Sequence, residues 1–443
     1  MAETQGYRRG AVAALASLAL VLSGCSVVTA GPAATIATPG PTAVREGAPI
    51  KIGYVTPRTG ALAEYGEADA YVIDTMTDYF DEHPVTLANG TTHPIEIITK
   101  DTKSDAETAI AAAGELILED EVTLILVSST PETVDPVANV CEANEVVCIS
   151  TGASWQAFYF GRGGTPEDGF DYTYHFFSGL EDVQAVYGDI WAATAPADSG
   201  VGLLLPNAPD GNAWRSPVAG IPPFITAQGR VATVPVPYEL GSTDFGTQIG
   251  AFQDANDMIL AGVPGATDFA TFWAQAAALG YQPTTATISN ALLFPSGLAD
   301  LPVGLGDDLS TEVWWHPTAA YASSLTGESA QELADAFEAA TGEHWTQPLG
   351  FSEALFEVAV AVLEQSRSLS ARDLAATIRR LELDTVVGRI DWRTGPVKNV
   401  AKLPLVGGQW RSNASGGYDL VVVTNTYAPA IPTGGEPEPI VWK

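Results

Sequence analysis

The sequence predicts an α/β fold made of two successive doubly wound units, each with a parallel sheet. Three observations carry this. Short apolar runs alternate with longer segments of helical period, as strands buried on both faces alternate with the helices that cover them. The rhythm pauses near residue 178 and then restarts. The chain has 443 residues, 46% hydrophobic and 16% charged, which is enough apolar material for more than one core.

In the first unit, strands are expected at 52–56 (IGYVT), 95–100 (IEIITK), 122–127 (VTLILV) and 146–150. Helices are expected between them at 67–80, 104–118 and 131–142. The second unit reads as helix 182–191, strand 200–205, a partly helical 214–224, strand 231–236, helix 244–256 and strand 258–261. Helix 268–279 and strands 285–289 and 312–316 follow. Three consecutive helical patterns come next, at 330–341, 352–365 and 371–381, and the chain ends strand-like at 419–423.

The first residues read as a targeting segment rather than fold. Arg8 and Arg9 precede twelve apolar residues, AVAALASLALVL, too few to span a bilayer and suited to a secretory signal. The run ends in Leu22-Ser23-Gly24-Cys25, which resembles a bacterial lipobox, so residues 1–24 are expected to be removed and Cys25 to carry the lipid anchor. Residues 25–49, rich in Ala, Thr, Pro and Gly, read as a flexible tether. The expected location is extracytoplasmic, on the cell membrane. In such a compartment Cys141 and Cys148, seven positions apart, are expected to form a disulfide.

Charge removes several function classes. Twenty basic against 53 acidic residues give a net charge of −33, which excludes a nucleic-acid binder working through a basic face and a polybasic grip on lipid. No phosphate loop, nucleophile elbow or HExxH motif occurs, and the five His have no ligand spacing, so no cofactor and no metal are expected.

Ligands of open parallel sheets meet the loops at the C-terminal strand ends. After the first strand comes PRTGALAEYG, carrying Tyr65. After the third come Ser128, Ser129, Thr130 and Pro131, where hydroxyls and free helix N–H groups suit an anion. After the fourth come Gly152, Ala153, Ser154 and Trp155, small residues beside an aromatic wall. Plain helix capping competes for the hydroxyls, and ordinary core packing for Tyr65 and Trp155.

The stretches IKIGYVTPRTGALAEYGEADAY, SSTPETVDPVANVCEANEVVCISTGAS and FSEALFEVAVAVLEQS resemble the extracytoplasmic solute-binding proteins of ABC importers. The branch is the branched-chain (hydrophobic) amino-acid type, with the type I periplasmic-binding fold. The resemblance implies two lobes joined by a hinge and closing on a solute. Residues 50–177 with 317–385 would form lobe 1, and 178–316 with 386–443 lobe 2. It implies an aromatic contact at Tyr65, carboxylate contacts at Ser128 and Ser129, and carboxylate and amine contacts at 152–154. The second lobe departs from the pattern, with Pro209-Asp210-Gly211 and Ser289-Asn290-Ala291 where an aromatic and an acid are usual. Asp210 is a candidate replacement acid, although Asp-Gly also suits a turn. The carboxylate half of the site is therefore expected to be present, and the amine half to be in question. Of Trp314 and Trp315, strand alternation allows one to face the cleft.

The function expected is capture, without catalysis, of a small carboxylate- or amide-bearing solute, an amino acid among the options, by a monomer that delivers it to a membrane permease. An α/β enzyme or an extracellular ligand sensor on the same two-lobe plan is the alternative.

Overall fold

The computed structural model describes residues 45–442. The expected signal segment and Cys25 lie outside the described residues. Among those described, no helix is long and apolar enough to cross a membrane.

The first sheet has six parallel strands, in the spatial order Val400–Lys402, Thr173–Phe177, Val147–Thr151, Leu124–Ser128, Ile50–Thr56, Ile95–Asp101. Its central strand, LILVS, is buried at every position, which is why it reads as a continuous apolar run instead of alternating. Helix Ala106–Leu118 covers one face with Ala109, Ala112, Ala113 and Leu116, one stripe at helical spacing, and starts where Asp105 accepts a bond from the Thr108 amide at 2.8 Å. Helix Pro348–Gln365 is buried on all sides from Pro348 to Leu363 and packs between helix Glu67–Glu82 and the central strands.

The second sheet has seven strands, in the order Ala232–Thr233, Gly200–Leu204, Asp257–Gly262, Thr285–Ile288, Ser310–Val313, Val406–Ser412, Tyr418–Thr424. The first five are parallel, and the last two form an antiparallel hairpin on the edge. Here the structure trims several expected elements. The strand expected at 231–236 shrinks to Ala232–Thr233, and 214–224 resolves into two short helices, Pro209–Trp214 and Ile221–Ala227.

The chain crosses between lobes three times, after Phe177, after Val313 and after Lys402. The third crossing lies later than the expected boundary at 385. Trp392 needs the apolar surface of Tyr174 and Phe176, with ring centroids at 6.5 and 6.1 Å, and Val400–Lys402 satisfies the open edge of Thr173–Phe177. Strand Val400–Lys402 therefore lies in the first sheet and not the second. Two crossings are tied together where Lys402 pairs with Glu181 at 2.8 Å and Asp182 at 2.9 Å.

The expected disulfide is not formed. Cys141, on helix Pro131–Ala143, and Cys148, on strand Val147–Thr151, are free, fully buried thiols. Helix and strand bring the side chains into hydrogen-bonding contact, and burial raises the Cys141 pKa, so the neutral thiol is favoured.

Candidate functional site

In both sheets the strand order reverses next to the first strand of the lobe, and the C-terminal strand ends of the two lobes face one cavity of about 590 Å³. That is the size of an ordinary small-molecule site.

From the first lobe, Tyr65, Thr130, Gly152, Ala153 and Ser154 line the cavity. Thr130 precedes helix Pro131–Ala143, yet its side chain makes no capping bond, and its buried hydroxyl has no partner. A cap would have consumed that hydroxyl, so it remains available to a ligand. Gly152 is required by the backbone: its φ is +89°, and a Cβ there would stand 2.7 Å from the carbonyl oxygen of Ser129. The next residue is held from behind. His175 Nε2 donates to the Ala153 carbonyl at 2.8 Å, while Ser150 Oγ bonds Nδ1 at 2.8 Å. Burial lowers the His175 pKa to about 3, so the ring is neutral and the tautomer follows from these two bonds.

Three candidates stand back from the cavity. Ser128 ends its strand and does not line the space, nor does Ser129, which is buried with its hydroxyl unpartnered. Trp155 is no wall. Its indole N–H donates to Glu181 at 2.9 Å, and its ring packs on Phe160. The apolar walls come instead from Phe160, Phe177, Trp214 and Trp314. Trp314 faces the cavity, while the Trp315 indole bonds the Val386 carbonyl at 3.0 Å and is buried away from it. Strand alternation thus separates the two.

The second lobe places two acids at the cavity, of which the sequence reading named Asp210 alone. Asp210 lies in the first turn of helix Pro209–Trp214, not in a turn between elements, and lines the cavity. Burial pushes its carboxyl up to about 6, helped by the charge of Glu132 and opposed by a bond from Asn290. Asn290 has a left-handed φ of 55°, which an Asn tolerates, and its amide reaches Asp210 at 3.4 Å. Glu312 was missed altogether. It sits on the interior strand STEV and is 3% exposed. Tyr187 and Ser289 each donate to its carboxylate at 2.5 Å. An acid at the head of the apolar run Val313–Trp315 was the available signal, since such a group is rarely buried without a purpose or a partner. Two second-lobe carboxylates, Asp210 and Glu312, thus line the cavity, neither of them at 289–291.

Asp135, on helix Pro131–Ala143, also lines the cavity. Burial raises its carboxyl to about 7, against the pull of Arg162 and with the push of Glu132. Among the described residues, no group of His, Cys, Asp and Glu is placed to hold a metal ion.

The family model described as periplasmic binding protein matches residues 49–415. A leucine binding protein from Thermotoga maritima superposes with a TM-score of 0.67 at 17% identity, over 85% of this chain and 99% of that one. A branched-chain amino acid transporter substrate binding protein from Streptococcus pneumoniae, in complex with isoleucine, gives 0.64 at 15% over 85% and 99%. A solute binding protein of an ABC transporter from Rhodopseudomonas palustris, in complex with 3,4-dihydroxy benzoic acid, gives 0.65 at 18% over 85% and 96%. No curated protein sequence matches.

Proposed function

The chain belongs to the periplasmic binding protein family, and from that membership we propose that it captures a compact organic solute between its lobes and hands it to an ABC permease in the membrane. The location this implies is extracytoplasmic. We read the protein as non-enzymatic and held to the membrane by lipid on Cys25, a reading supported by the Leu22–Cys25 sequence.

One observation carries the capture reading: the cavity is made jointly by the C-terminal strand ends of both lobes, so a solute filling it touches both at once. Closure then follows from differential binding, because only the closed arrangement lets both sets of contacts form. The first lobe offers Thr130, Ala153 and Ser154 to an oxygen-bearing end of the solute. The second offers Asp210 and Glu312 to a hydrogen-bond donor, and the aromatics receive an apolar body. This arrangement accommodates an amino acid, and the relatives that bind leucine, isoleucine and an aromatic acid fall within the same range of size.

The test is small-angle scattering with and without the small molecules that denaturation releases from purified protein. A ligand that occupies the cavity compacts the protein. An unchanged radius of gyration at saturation would remove closing capture as the mechanism.

A further inference from the structure

The charged side chains lining the cavity are all of one sign. Asp135 comes from the first lobe and Asp210 and Glu312 from the second, while among the described residues no Lys, Arg or His lines it. Glu132, one turn before Asp135, has a buried carboxylate oxygen without a partner and repels both Asp135 and Asp210. Asp135 likewise has one buried oxygen without a partner. Arg162, the cation whose charge acts on Asp135, makes its hydrogen bonds elsewhere. It bonds Asn139 at 2.8 Å and Thr173 at 3.1 Å and lies over the rings of Phe158 and Phe170. Acids of one sign lining both sides of a cleft oppose its closing, and desolvation as water leaves makes this worse.

A second, independent observation points to a ligand in the same space. Thr130 is 7% exposed and lines the cavity, and its Oγ1 has no partner. A buried hydroxyl left unsatisfied is costly unless an occupant completes it.

We propose that the solute is a net cation: an organic amine with an apolar body, its ammonium group held by the acids that line the cavity, Asp135 from one lobe and Asp210 from the other. An organic ammonium fits better than a metal ion, because the acids are not grouped as a metal site among the described residues and the walls are aromatic. Neutralising carboxylates from both lobes links recognition to closure, since the charge that separates the lobes becomes an attraction when the amine enters. The chain's net charge of −33 favours the approach of such a solute. The inference rests on the capture reading above and narrows it to a substrate class.

Calorimetry with four probes of similar bulk tests it: 3-methylbutylamine, 4-methylpentanoate, leucine and lysine. The amine is expected to bind roughly ten- to a hundredfold tighter than the carboxylate, and lysine tighter than leucine by a similar factor. In Asp135→Asn and Asp210→Asn the amine preference is expected to fall by roughly tenfold or more. The probe comparison on the unsubstituted protein stands even if a variant fails to fold. Equal or tighter binding of 4-methylpentanoate, or leucine outbinding lysine, overturns the cationic class and leaves capture intact. Unchanged amine affinity in both folded variants does the same. If no probe binds and mass spectrometry finds no small molecule released from the purified protein, both readings fall. A released cation supports the inference, and a released anion overturns it alone.

Discussion

The hydroxyl of Tyr65 lies 3.4 Å from the side-chain oxygen of Asn290, one residue from each lobe, directly beside the cavity. The Tyr65 ring also meets Phe294 edge-on at 5.0 Å and Trp314 at 6.3 Å. Tyr65 therefore contributes an apolar wall and a polar link across the cleft. Tyr65→Phe keeps the wall and removes the link. The expected loss is about 1 kcal/mol of ligand affinity, roughly fivefold, with a slower approach to the compact state in scattering. Affinity equal to the parent protein would make the contact incidental.

Gly152→Ala should be far more damaging than its size suggests. The backbone stays at φ +89° and the new methyl meets the Ser129 carbonyl at 2.7 Å. Urea denaturation is expected to report a loss of about 1–3 kcal/mol, with the cavity loop displaced and ligand affinity lost alongside. A variant as stable as the parent would mean that the loop relaxes freely.

Two buried groups pull stability in opposite directions with pH. His175 has its folded pKa lowered to about 3, so between that value and its ordinary range near 6.5 the unfolded chain binds the extra proton. Its neutral burial therefore costs stability as pH falls below about 6.5, by about 2 kcal/mol at pH 5. His175→Gln should flatten that acid limb. Glu353, 1% exposed, is raised to about 7 by burial, so there the folded chain binds the extra proton and stability falls as pH rises from about 4.5 to 7. Glu353→Gln is expected to gain about 3 kcal/mol over the parent at pH 8 and to lose that advantage by pH 4.5. Thermal melts across this range check both signs; a Glu353→Gln gain that grows on acidification would contradict the second.

Cys25→Ala tests the membrane anchor. The variant is expected in the soluble extracytoplasmic fraction and the parent in the membrane fraction. Membrane recovery of the variant would place the anchor elsewhere.

Much of this protein was legible from local pattern. The run VTLILV announced a strand buried on both faces, and that strand is the centre of the first sheet. Helix 330–341 was legible to the residue, because Ser329 and Glu332 form a reciprocal capping pair and Gly342 ends it in the left-handed region. Thr130, Gly152, Ala153 and Ser154 were legible as strand-end residues, since strand ends follow from strand positions. Trp155 was misjudged because its partner, Glu181, lies 26 positions away and turns the indole out of the cleft.

By itself the sequence determined the α/β rhythm, the two-lobe division and the loops that border the cleft, because these rest on periodicity and capping between near neighbours. Only the tertiary structure decided the charge of the site. Asp210 was a candidate replacement acid competing with a turn, and Glu312 looked like any strand position. Tyr187, 125 positions before Glu312, and Ser289, 23 before it, are what hold its carboxylate beside the cavity. Electrostatic environment is set by groups that folding brings together over long separations, and no local pattern of residues encodes it.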